Sequence, residues 1–192
     1  MTIYERLDKI MPRILEKRFR ENKGLGNEIG YYIFDYDPRD EMLVREHIAF
    51  IKQRVNNNNS EVKIKEFDLY EIMLEVLEQK GYLNKVIDME TKKGTEKVLS
   101  PIKKTLRLTQ KNDLIIEYIK RNVSKYDIVF LTGVGKAWPI IRSHTVLNNL
   151  HSVIDDAPVV MFFPGRYDGQ SLCLFDEIKD DNYYRAFKLV EG

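Results

Sequence analysis

An α/β fold is what this sequence predicts: a single domain over residues 1–192, with a mostly parallel central sheet flanked by helices. A helical insertion falls at about 82–125, and the C-terminal strands are open to antiparallel pairing. Three observations carry the prediction. Strand-like and helix-like segments alternate between residues 30 and 81, the rhythm of β-α-β units that join parallel strands. Two short, continuous apolar runs at 127–131 and 158–163 suit strands covered on both faces. The helix starts at 37–41 and 68–71 carry capping chemistry, which fixes where strand gives way to helix.

Taken in order, Ile3, Leu7, Ile10, Ile14 and Leu15 recur at helical spacing, so one amphipathic helix is expected, ended by Gly24 and Gly26. Residues 30–35 read as a strand. Asp37 can cap the next helix, Pro38 suits its first position, and Asp40 and Glu41 favour the positive end of the helix dipole. Val44, Ile48, Ile51 and Val55 form its apolar stripe, and the asparagines at 56–59 read as a loop. Residues 62–67 alternate as a strand. Asp68 and Glu71 have capping-box spacing before Ile72, Val76 and Leu77, and Gly81 closes that helix.

The 82–125 stretch reads as helical, with breaks near Gly94 and Ser100–Pro101. Leu114, Ile115, Tyr118 and Ile119 mark the helix that leads into the 127–131 strand. A tight connection at 132–135 follows, then a helix beginning at Pro139 with Ile140, Ile141, Leu147 and Leu150 on its inner face. Pro164–Gly165 closes the 158–163 strand. Two further strands are expected around 172–175 and 184–190, joined by an acidic loop at 176–182.

Composition narrows the function classes. Of 192 residues, 31 are basic and 30 acidic, for a net charge of +1, which argues against a dedicated nucleic-acid coat. One cysteine, Cys173, and three histidines leave neither a disulfide framework nor a recognisable zinc motif. The start lacks the apolar stretch of a signal peptide, and no apolar run is long enough to cross a membrane, so a cytoplasmic protein with no membrane partner is expected. Charge is uneven along the chain. Residues 85–111 hold eight Lys or Arg against three acidic residues, and 155–181 hold seven acidic against two basic. A solvated face is the bland reading of each. Complementary patches are also the mark of a binding protein, and the basic region could meet DNA phosphates.

Two loops carry candidate chemistry. Gly133, Gly135, Lys136 and Arg142 follow a buried strand, where backbone N–H groups could approach a phosphate. The spacing is not that of a Walker loop, because one residue separates the glycines and Ala137 follows the lysine. A bare strand-to-helix turn is the simpler reading. His144, on the helix that follows, could act as a base, although a lone helical histidine is more often a packing or surface residue. The second loop, 163–171, holds Arg166, Asp168 and Gln170. Arg166 and Asp168 could pair or face a partner, while Asp168–Gly169 is a good turn in its own right. Asp35 and Asp37 follow the first strand and read as structural, and Cys173 reads as inert. No catalytic residue, metal site or cofactor is assigned.

Four stretches resemble the BrxB family of the BREX bacteriophage-exclusion systems: Phe130-Leu-Thr-Gly-Val-Gly135, Pro139-Ile-Ile-Arg-Ser-His-Thr-Val-Leu-Asn-Asn-Leu150, Phe163-Pro-Gly-Arg-Tyr-Asp-Gly-Gln-Ser-Leu172 and Lys179-Asp-Asp-Asn-Tyr-Tyr-Arg-Ala-Phe187. Their order and spacing match along 128–190. The resemblance implies a small cytoplasmic component of an antiviral system that marks host DNA by methylation and blocks unmarked phage DNA. Such systems also hold a large ATPase, a phosphatase-like protein called PglZ and an adenine methyltransferase. It brings no enzyme activity to carry over, so an adaptor touching PglZ or the ATPase is the expectation. A degenerate nucleotide- or phosphate-binding protein and a DNA-binding subunit remain as alternatives. Motif residues nominated for interaction are Arg142, His144, Arg166, Asp168 and Gln170, with Asn182, Tyr183 and Arg185 near the end.

Overall fold

The computed structural model describes residues 1–21, 30–58, 62–125, 127–154, 157–180 and 186–191. Its centre is a sheet with strand order β2-β3-β4-β1-β7. The strands are β1 (Tyr31–Tyr36), β2 (Lys63–Asp68), β3 (Asp127–Thr132), β4 (Val159–Tyr167) and β7 (Phe187–Lys188). Every pair along this path is parallel. Between β4 and β7 the chain adds β5 (Leu172–Leu174) and β6 (Ile178–Asp180), which pair antiparallel to β4 and to each other.

Side chains alternate along each central strand, so the sheet has two buried faces. Tyr32, Phe34, Ile128, Phe130, Val160 and Phe162 point to one face and meet the helices before β2. These are α1 (Ile3–Asp8), α2 (Ile10–Leu15), α3 (Lys17–Arg20) and α4 (Glu41–Asn56). Ile33, Val129, Leu131, Val159, Met161 and Phe163 point to the other. There they meet α5 (Leu69–Gln79), α7 (Thr95–Thr105), α8 (Leu114–Asn122), α9 (Val134–Ala137) and α10 (Ser143–Leu150), with α6 (Leu83–Lys93) packed outside. The crossover from β1 to β2 runs one way across the sheet, and those from β2 to β3 and β3 to β4 return. The right-handed rule for such crossovers therefore sends the two helix sets to opposite faces.

Several elements form where the sequence places them. α4 buries Val44, Ile48, Ile51 and Val55. It is entered through a 3-10 turn at Pro38–Asp40, capped by Asp37. The Asp68 carboxylate accepts the Tyr70 and Glu71 N–H groups at the start of α5, and Gly81 follows its end with φ +70°. β3 is buried along its whole length.

Other expectations are corrected. The N-terminal helix is three short ones, turned at Lys9 and at Glu16, where ψ is 136°. The turn at Glu16 leaves Leu15 exposed at 41% and brings Phe19 into the core. Gly24 and Gly26 lie outside the described residues. α4 continues through Asn56, whose side-chain amide both donates to and accepts from the Ile64 backbone. The break expected at Ser100–Pro101 is absent. Pro101 sits inside α7, held there by burial of Val98 and Ile102, and the actual break is at 106–113, where Arg107 and Thr109 have positive φ. No helix starts at Pro139: the Ile140 and Ile141 N–H groups turn back to the Ala137 carbonyl, so 138–141 close a turn, and α10 begins at Ser143.

β4 does not stop at Pro164–Gly165. A Cβ at Gly165 would overlap the Cys173 carbonyl, so glycine lets β5 approach and the strand runs on to Tyr167. The acidic loop contains β6. Among the last described residues, β7 pairs parallel to β1, not antiparallel. Among the described residues no helix is long and apolar enough to cross a membrane.

Candidate functional site

Ligands of an open α/β sheet sit outside the carboxyl ends of the strands, where connections to the two faces diverge. Here that point lies beyond β1 and β4. Asp35, at the end of β1, accepts from Arg6 at 2.8 Å and from the Tyr167 N–H at 3.0 Å, with Lys188 Nζ at 3.9 Å. The Arg6 guanidinium also lies 4.8 Å over the Phe34 ring. Both side chains of the pair are sheltered, at 14% and 13% exposure. The crevice is therefore closed by an ion pair reaching in from α1.

The glycine turn after β3 is filled as well. Gly133 is left-handed, with φ +70°, and a side chain there would overlap the Asp68 carboxylate. That carboxylate holds Lys136 Nζ at 2.6 Å, and Glu71 lies 3.3 Å from the same nitrogen. Burial lowers the Lys136 pKa, but the two carboxylates more than offset it and the net shift is upward. Glu71 thus faces Lys136, whereas its spacing suggested the second half of a capping box. Gly135 takes the Phe175 ring and Pro164 against its backbone.

In the second loop Arg166 pairs with Asp176 at 2.8 Å and not with Asp168. Asp168 closes its own turn, accepting the Gln170 and Ser171 N–H groups at 2.8 and 2.7 Å. These bonds hold its carboxyl down at about 2. Gln170 is exposed at the tip. Of the histidines, His47 contacts the Leu7 carbonyl, His151 stacks on Tyr31 and His144 is half-buried beside Arg142. Cys173 is half-buried on β5. Asn182, Tyr183 and Arg185 lie outside the described residues. Among the described residues no group of three or more His, Cys, Asp or Glu could hold a metal.

A trough lies open beside these filled turns. One cleft of about 190 Å³ lies between the 138–143 connection and the β5–β6 hairpin, with Trp138, Arg142 and Lys179 at its rim and Phe163, Leu172 and Ile178 beneath. A second, of about 330 Å³, lies between the 106–113 break and α10, with Lys103, Arg142 and His144 around Leu108, Ile115 and Ile140. The two share Ile141 and Arg142. A third of about 330 Å³ on the outer side of α7 shares Lys103 and Leu108 with the second and adds Lys104 and Glu96. Asp113, in the second cleft, is buried and engaged by the Ile115 and Ile116 N–H groups; burial pushes its pKa up against those bonds. Sequence reasoning nominated Arg142 and His144 but missed Trp138 and Lys179. The signal for Trp138 was the lone tryptophan of the chain, placed in a connection at a strand's carboxyl end.

Fold and site together define a doubly wound α/β protein whose ligand crevice is closed by its own ion pairs and whose open surface is an apolar trough edged with cations. The chain belongs to the BrxB family, and is thereby a component of a BREX phage-defence system. The family model described as "BREX protein BrxB" matches residues 65–189. A BREX protein BrxB of Bacillus cereus (strain H3081.97) is 65% identical over 98% of each chain. Another, of Escherichia coli O9:H4 (strain HS), is 37% identical over 96% of this chain and 90% of its own. No solved structure matches.

Proposed function

We propose that this chain is a non-catalytic adaptor of its BREX system, holding a partner subunit such as the PglZ-like protein or the large ATPase. One observation carries the reading. The two places where this fold class builds small-ligand sites are filled by Arg6–Asp35 and by Lys136–Asp68, while an exposed Trp138 and Arg142 face outward. Turns occupied by internal ion pairs leave little room for a small ligand, and exposed Trp and Arg are residue types that anchor protein interfaces. The same filling weighs against a phosphate at Gly133, Gly135, Lys136 and Arg142. Co-expression with the PglZ-like and ATPase subunits, followed by size-exclusion chromatography with mass determination, tests the reading. Co-elution with either is the expected result, and elution alone from both overturns it.

A second reading has its own observation: Lys93, Lys97, Lys104 and Arg107 are all exposed in the 85–111 region. Duplex DNA bound there would dissociate steeply with salt. Binding retained after Lys93, Lys104 and Arg107 become Glu eliminates that surface.

A further inference from the structure

We infer that the trough running over Arg142 is the docking groove for an extended, acidic peptide segment of the partner, one that presents aliphatic side chains between its carboxylates. The inference rests on the adaptor reading and names the surface and chemistry it would use.

The charge arrangement is the first support. Around the carboxyl ends of the strands, cations fall into two groups. Arg6, Lys136, Arg166 and Lys188 each face a carboxylate of this chain within 4 Å. Lys103, Lys104, Arg142 and Lys179 have no ion pair among the described residues, and all four line the trough. Other surface cations, such as Lys93, Lys97 and Arg107, are also without an ion pair among the described residues, but these four share one concave surface. Of the acids that line the clefts, Asp113 is buried and engaged by backbone N–H groups and Glu96 stands at the far end. A row of cations without internal partners is complementary to an anionic segment and repels a basic one.

The second support is the floor, which favours an acidic peptide over a single-stranded nucleic acid. Single-stranded nucleic acids need aromatic platforms on which successive bases stack. Among the described residues this trough offers one exposed aromatic side chain, Trp138, at 40%. Its clefts are otherwise lined by branched aliphatic residues: Leu108, Ile140 and Ile141 on one side of Arg142, Leu172, Leu174 and Ile178 on the other. Pockets of that size and lining accept aliphatic side chains. The carboxylates between them would reach Arg142, which can hold a carboxylate with two parallel bonds.

The test uses the full chain, co-expressed with the PglZ-like and ATPase subunits and purified with nuclease. Wild type is compared with Arg142→Glu, with Lys103→Glu/Lys179→Glu, with Trp138→Ala, and with Lys9→Glu/Arg18→Glu on the other side of the sheet. The three trough variants are expected to weaken the complex by about tenfold or more, and the control to leave it unchanged. Melting temperatures within a few degrees of wild type exclude misfolding. A photo-crosslinking residue at position 138 should then label an acid-rich segment of the bound subunit. Trough variants that bind as well as wild type overturn the groove while the adaptor reading stands. A wild type that holds neither subunit overturns the adaptor reading itself, and the groove with it. Loss of the complex on nuclease treatment, or crosslinks to a basic segment, shows the wrong occupant and also overturns the proposal.

Discussion

The two faces of the sheet are built in opposite ways. On the first, α4 runs unbroken for 16 residues and buries a regular stripe. Beneath it an aromatic cluster is tightly knit, with Phe130–Phe162 centroids at 5.0 Å and Phe34–Phe162 at 5.8 Å. On the second, the helices are of 11 residues or fewer and their connections are irregular. Among the described residues, the four non-glycine residues with positive φ, Arg107, Thr109, Phe175 and Asp176, all lie in connections on this side, as do the clefts described above. Helix length alone does not make the difference, since α1, α2 and α3 on the first face are shorter still. Irregular connections leave concavities, and those are where a partner can be met.

The sharpest way to break this contrast is to cut into both cores. Phe162→Ala removes the ring shared by two aromatic neighbours and should cost about 3–5 kcal/mol in denaturant unfolding. Ile141→Ala, on the floor of two clefts, should cost only about 2 kcal/mol, because its surroundings are already partly open. Equal losses would mean that the second face is as dry as the first.

The next effect is at the join between the faces. Asp35→Ala leaves Arg6 without its carboxylate and the Tyr167 N–H without an acceptor. A loss of about 2 kcal/mol is expected, below the cost of breaking a fully buried pair because this one retains some solvent. Gly133→Ala follows, at about 1–2 kcal/mol from the left-handed backbone alone, and more if Asp68 does not yield. If instead that variant is neutral in thermal melts, the turn is looser than its contact with Asp68 implies.

Smaller still is Arg142→Ala, which should leave stability within about 0.5 kcal/mol, since the side chain is exposed. A residue that matters for partner binding and not for folding is what the contrast between the faces demands. The smallest expected effect is on acid stability. Backbone N–H groups hold the Asp168 carboxyl at about 2 in the folded protein, below the value of about 3.9 in an unfolded chain. Its contribution is therefore complete above about pH 4 and fades as pH falls toward 2. Asp168→Asn should lower the melting temperature slightly at neutral pH, where that contribution is complete, and flatten its dependence on pH within that window.

On the first face, α4 was legible in the sequence because its signals are local. Asp37, Pro38 and the stripe from Val44 to Val55 lie within a few turns of one another, and each points to the same helix. The second face was less legible because its signals are not local. The β5–β6 hairpin turns at Phe175–Asp176, where both residues have positive φ and Glu177 N–H closes on the Leu174 carbonyl at 3.1 Å. Such a turn usually advertises itself as Asn-Gly. Here it is held by Phe175 against Gly135 and by Asp176 on Arg166, partners that local reading does not supply. For the same reason Arg166 was matched with its near neighbour Asp168.

By itself the sequence determined the α/β class, the two-sided burial of β3 and β4, and the caps at Asp37 and Asp68. It also carried the four motifs by which the family resemblance was drawn. Each depends on residues a few positions apart, where dihedral preferences and hydrophobic period act directly. Tertiary structure alone decided the strand order, the parallel seat of β7, the closing of the ligand crevice by Arg6, and the alignment of Lys103, Arg142 and Lys179 along one trough. Those residues are tens of positions apart, and only the crossovers that send helices to opposite faces of the sheet bring them together.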